Sequence, residues 1–118
     1  MNVGTDHDAS ILPEAELTEA YTAFVKRVRA VHPNAFVLIS ESGFQSDGSN
    51  GKPRTERDAL LNTLNAVVAR LHTSGDRRIR VVHTGYFPGT PNDTHLVAFQ
   101  QEQIALDFLG PIKEVTGW

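Results

Sequence analysis

Two short apolar runs most constrain what this chain can build. Ala35-Phe36-Val37-Leu38-Ile39 has no polar alternation, and Arg78-Ile79-Arg80-Val81-Val82-His83-Thr84 is nearly as apolar at its centre. Both read as strands buried on both faces, over 35–40 and 78–84, which is the usual state in a parallel sheet. Helical patterns surround them. Leu17, Tyr21, Phe24, Val25, Val28 and Val31 recur at steps of three and four and predict a helix over 14–31. Leu60, Leu61, Leu64, Val67, Val68 and Leu71 predict a second over 55–73. Ile104, Phe108, Ile112 and Val115 predict a third over 96–115. Alternation of this kind gives a parallel sheet with right-handed crossovers.

Local signals agree with these spans. Pro13 suits the entry of the first helix, where its missing N–H costs nothing. Glu14, Glu16 and Glu19 near its start, and Lys26, Arg27 and Arg29 near its end, complement the helix dipole. Thr55 can cap the second helix, with Glu56 and Asp58 in its first turn, and Ser74-Gly75-Asp76 ends it. Pro111 is expected to kink or interrupt the third, because its ring meets the carbonyl of Asp107. The segment Glu41–Pro53, rich in Gly, Ser and Asn, reads as a long loop. Tyr86–Asn92 is another, with Pro88, Gly89 and Pro91.

The expected fold class is therefore α/β, one domain over 1–118 with two full strands, three helices, and a strand stub at Met1-Asn2-Val3. Such a sheet is small; open doubly wound sheets commonly hold about five or six strands. A bare edge invites pairing with another chain. A homo-oligomer, a dimer in the simplest case, is expected. The 118 residues contain no cysteine, which excludes a disulfide scaffold, a thiol nucleophile and a thiolate zinc site. The formal charge of −3 argues against nucleic acid as the main partner. No run approaches the ~20 apolar residues of a membrane span, and the N-terminus lacks the pattern of a signal peptide. A cytoplasmic protein, or a secreted one whose signal is gone, is expected, with no membrane partner and no cofactor.

In a parallel sheet, ligands bind beyond the carboxyl ends of the strands. Three loops should meet there: Gly4–Leu12, Ser40–Arg54 and Thr84–His95. Two carry Asp and His together, Asp6-His7-Asp8 and Asp93-Thr94-His95. An adjacent Asp and His can work as a base with its orienting carboxylate. Asp93 or Thr94 can equally cap the last helix. The two clusters also contain metal-ligating types, but no spacing matches a recognised metal site, and none is assigned. His32 and His72 sit at helix ends, where an imidazolium favours the dipole. His83 closes the second strand, where it could face the site, and reads first as a buried, hydrogen-bonded structural residue. Ser40 and Ser42, just past the first strand, rank above Ser10 as hydroxyl nucleophiles. None lies in Gly-x-Ser-x-Gly.

The block Asp93-Thr94-His95-Leu96-Val97-Ala98, then Gln103-Ile104-Ala105, Pro111-Ile112-Lys113 and Gly117-Trp118, resembles the C-terminal block of SGNH (GDSL-type) hydrolases. It looks most like the acetylxylan-esterase-like members of carbohydrate esterase family two. Asn2-Val3-Gly4-Thr5-Asp6 resembles the block that follows the third strand of that family. Tyr21–Val31 with His32-Pro33-Asn34-Ala35 resembles its helix and the entry to its fourth strand. The resemblance spans nearly the whole chain. It implies an SGNH, flavodoxin-like three-layer fold and hydrolysis of small carboxylic esters, including acetylated sugars, through a serine acyl-enzyme. It makes His95 the general base and Asp93 its orienting acid, and puts Gly4, Thr5 and Asp6 beside the substrate.

The chain also departs from the family pattern. The nucleophile block Gly-Asp-Ser and the oxyanion glycine block both precede the first residue here. The chain then corresponds to about the C-terminal half of a family domain, as a truncated SGNH fold. Where the family has an oxyanion Asn, this chain has Asp6 or lacks one residue, and an ionised carboxylate repels a developing oxyanion. Ser42, or Ser40 in its place, is the candidate substitute nucleophile. A non-catalytic α/β module that oligomerises through its open edge is the other expectation.

Overall fold

The computed structural model describes residues 13–41, 56–87 and 96–118. Five elements follow in the order α1 (Glu14–Val31), β1 (Val37–Ile39), α2 (Glu56–Thr73), β2 (Ile79–Val81) and α3 (Ala98–Thr116). The two strands pair in parallel, Val37 with Ile79, Leu38 with Arg80 and Ile39 with Val81. This is the expected α/β class: three helices around a two-stranded parallel sheet among the described residues. The stub at 1–3 and the cap at Thr55 lie outside them.

Strand alternation divides the sheet. Val37, Ile39, Ile79 and Val81 point to one face and pack with Val25, Leu60, Leu64, Val67 and Leu71 of α1 and α2. Leu64 and Val67 are wholly buried. The opposite face carries Arg80, whose guanidinium reaches α3: Nη1 binds Glu114 at 2.8 Å and Nη2 donates to the Pro111 carbonyl at 2.7 Å. The sheet thus lies between an α1–α2 layer and α3.

Three sequence expectations need correction. The strands are not buried on both faces: Ala35 and Phe36 are exposed, and β1 buries only Ile39 completely. The buried stripe of α1 is Thr18, Thr22 and Val25, while Phe24 and Val31 face solvent. Threonine is able to replace a hydrocarbon here because its hydroxyl is satisfied locally. Thr18 donates to the Glu14 carbonyl and Thr22 to the Thr18 carbonyl, each at 2.7 Å, and Thr63 of α2 does the same to Ala59 at 3.0 Å. Small side chains then let the two helices meet closely. Finally, Pro111 does not interrupt α3, which runs unbroken through it. The Pro111 carbonyl instead serves as an acceptor for Arg80.

The helix ends are built as the local chemistry requires. Pro13 is the N-cap of α1 and its carbonyl takes the Leu17 N–H. After α2 the chain turns through Gly75 at φ +94°. Gly75 N–H binds the His72 carbonyl and Asp76 N–H binds that of Leu71, a Schellman closure that needs a left-handed residue at its centre. The turn delivers Asp76 to Arg29 of α1 at 2.9 Å. Arg29 also donates to the carbonyls of Arg78 and Ala35, so one guanidinium ties α1 to the amino ends of both strands.

Candidate functional site

The carboxyl ends of β1 and β2 carry a compact polar cluster. Glu41 and His83 follow the paired residues Ile39 and Val81 by two positions each. Glu41 follows an apolar strand yet remains buried, its side chain 1% exposed. Its Oε1 accepts from Arg57 Nη2 at 3.1 Å. The same nitrogen donates to the Thr84 carbonyl at 2.6 Å. The Thr84 hydroxyl closes back on the Glu41 carbonyl at 3.4 Å. His83 places Nδ1 3.5 Å from Glu41 Oε1, with its side chain 65% exposed. The Tyr86 ring lies 5.2 Å from the Arg57 guanidinium, within cation–π range. From the other layer, Asp107 of α3 accepts the Gly85 N–H at 2.7 Å.

Burial of a carboxylate is costly unless the charge is paired and its lone pairs are used. Arg57 meets half of that requirement. The second oxygen, Glu41 Oε2, is buried with no hydrogen-bond partner among the described residues. Arg57 itself stands in the first turn of α2, where the helix dipole disfavours a cation. Glu41 compensates for that placement. Such a group combines an anchored anion, an exposed imidazole and a rim of backbone carbonyls. It can orient an imidazole, and through it accept a proton.

Of the residues singled out in the sequence, Ser40 falls within the described region. It follows β1 directly, half-buried, at the carboxyl end of the sheet. Ser42, Asp93, His95, Gly4, Thr5 and Asp6 lie outside the described residues. His83 is not the buried structural residue expected from sequence. Two functional candidates were missed, Glu41 as the start of a loop and Arg57 as one charge among many. The available signals were a carboxylate in phase with Val37 and Ile39, and a cation in the first turn of a helix. His72, by contrast, has a structural partner: its Nε2 lies 3.0 Å from the Ile79 carbonyl, to which it donates.

No three histidine, aspartate or glutamate side chains among the described residues gather closely enough to hold a metal ion. No helix among them is long and apolar enough to cross a membrane.

No family model matches the sequence, and no curated protein matches it. Solved structures do match. A family two carbohydrate esterase from Cellvibrio japonicus superposes with a TM-score of 0.80 at 21% identity, over 99% of this chain and 32% of that one. A family two carbohydrate esterase from Clostridium thermocellum, in complex with cellohexaose, superposes with a TM-score of 0.81 at 22% identity, over 99% of this chain and 35% of that one. This chain spans about a third of the length of either esterase. Over that third, its α/β architecture is the fold of the family two carbohydrate esterases.

Proposed function

We propose that the chain is a carboxylic-ester hydrolase acting on small acetyl or short-chain esters, acetylated sugars among them. One observation carries the reading: the fold likeness to two carbohydrate esterases extends over 99% of this chain. The sequence Asp93-Thr94-His95 stands between the carboxyl end of β2 and α3, and supports the assignment of roles. His95 takes the proton of a serine hydroxyl as that oxygen bonds to the ester carbonyl. Asp93 fixes the imidazole tautomer and balances its charge. Ser42 is the first candidate nucleophile and Ser40 the second. Gly4, Thr5 and Asp6 belong to the substrate side. The reading includes a self-associated form, supported by a two-stranded sheet whose strands each have one partner among the described residues.

The test is hydrolysis of 4-nitrophenyl acetate and longer acyl homologues by the purified chain, with and without a fluorophosphonate. Turnover is expected to be blocked by the fluorophosphonate and to fall about 10²–10⁴-fold in His95→Ala. Ser42→Ala and Ser40→Ala then separate the two hydroxyls. Wild-type turnover no greater than that of His95→Ala overturns the reading.

A further inference from the structure

We infer that the end of the molecule holding the amino ends of the strands is a docking surface for a sugar polymer that carries carboxylates, a polyuronate in its simplest form. The partner class rests on the ester-hydrolase reading, because that reading supplies acetylated sugars as the substrate. The charge distribution stands independently of it.

Topology collects the cations. Each strand of the parallel pair is entered through a short turn from the helix before it, so α1 and α2 both end beside the amino ends of β1 and β2. Two contacts fix this arrangement. Arg29 of α1 binds Asp76 after α2 at 2.9 Å, and Arg78 Nη1 lies 3.2 Å from Asn34 Oδ1. Lys26, Arg27, Arg70, Arg77 and Arg78 are exposed at this end. Acids are scarce there. None occurs between positions 23 and 40, and between 59 and 80 Asp76 stands alone, already paired with Arg29. Glu14, Glu16, Glu19 and Asp58 lie in the opening turns of the same helices, at the far end. The chain is thus bipolar although its formal charge is only −3.

The helix dipole favours cations in a last turn, as at Arg29 and Arg70. It does not account for Arg77 and Arg78, which lie beyond α2. Nor does it explain why Lys26, Arg27 and Arg70 have no acid three or four positions away on their helices. Lys26, Arg27, Arg70 and Arg77 make no ion pair among the described residues. Clustered like charges repel, and an anionic partner relieves that repulsion. Most of the cluster is arginine, whose planar fork matches a carboxylate. The acidic remainder of the chain disfavours a partner as densely charged as duplex nucleic acid, which carries one charge per ~1.7 Å. A polyuronate spaces its carboxylates a sugar apart.

The test uses the whole chain and polygalacturonate, with the methyl ester of that polymer as its uncharged counterpart. Titration calorimetry should show wild type binding polygalacturonate and not the methyl ester. Affinity should fall about tenfold or more between about 50 and 200 mM salt. Arg70→Gln combined with Arg77→Gln should weaken binding about tenfold or more. Ala15→Glu combined with Ala20→Glu reaches the same net charge by changing the other pole, and should bind as wild type does. On O-acetylated polygalacturonate the arginine double variant should raise KM and keep kcat, with turnover of 4-nitrophenyl acetate unchanged. Equal binding of the methyl ester, or undiminished binding by the arginine double variant, overturns the surface. An unchanged KM on the acetylated polymer overturns its role in holding substrate. Tighter binding of duplex DNA or of phosphatidylserine vesicles overturns the sugar polymer as partner. If wild type turns over no ester, the hydrolase reading fails, and the binding measurements alone decide the surface.

Discussion

Two arginines show how much a residue's meaning depends on where the fold sends it. Arg29 and Arg57 both sit near helix ends. Arg29 binds Asp76 through Nε at 2.9 Å and Nη2 at 3.2 Å, and holds the amino ends of the strands. Arg57 works at the carboxyl ends, on Glu41. For Arg29 the consequence is a pH dependence. The Arg29 hydrogen bond, first of all, holds the Asp76 carboxyl below its ordinary value. The Arg78 N–H and the charges of Arg29 and His72 act in the same direction, and desolvation opposes them. A carboxyl with a lowered folded pKa stabilises the fold above its unfolded value of about 3.9, and that contribution is lost as pH falls through the folded pKa. Asp76→Asn keeps an oxygen for the Arg78 N–H but loses the charge. Urea denaturation should find it less stable than wild type by about 1–2 kcal/mol at pH 7. The gap should hold down to about pH 5 and narrow as pH drops below about 4. A gap of the same size at pH 2 contradicts this. None of this is legible locally. Arg29 reads as a dipole-complementing charge, and the Asp76 partner lies 47 positions away. Glu41 reads as loop for the same reason, because its partners Arg57 and Thr84 lie 16 and 43 positions away.

At the scale of elements, patterning worked best where hydrocarbon alone fills the interface. The α2 stripe of Leu60, Leu64, Val67 and Leu71 is buried as its spacing implies. In α1 the same rule pointed to Phe24 and Val31, because a period count treats threonine as polar. Helix α3 presents a different case. Its predicted stripe, Ile104, Phe108, Ile112 and Val115, is only half-buried, and no residue of the helix is fully so. Side-chain links at Arg80 and Asp107 tie it to the strand layer. Local helix stability therefore matters more for α3 than for α1 or α2. Arg80→Ala should speed amide exchange through Leu106–Glu114 of α3 while α1 and α2 stay protected. Equal loss of protection in all three helices would show that α3 unfolds only with the core.

On the scale of the whole molecule, the chain has the fold of a carbohydrate esterase over about a third of such an enzyme's length. The described sheet has two strands, each paired on one side. Helix α3 adds a second apolar stripe on its outer side. Phe99, Leu106 and Leu109 recur at steps of seven and three, and all three are exposed. Backbone edges and apolar side chains both favour contact with another surface. Three-residue strands offer few edge hydrogen bonds, so the apolar stripe is the stronger of the two contributions. Light scattering at tens of micromolar should therefore give the mass of about two chains. Leu106→Lys combined with Leu109→Lys should return it to one, because charge on the stripe must be desolvated in any contact. The same double variant tests how association relates to chemistry. If ester turnover per chain survives the loss of the dimer, the site is complete within one protomer. If turnover disappears while α1 and α2 keep their exchange protection, the active form is the associated one. A well-folded wild-type monomer at these concentrations removes the dimer from the account and leaves the stripe as ordinary exposed hydrocarbon.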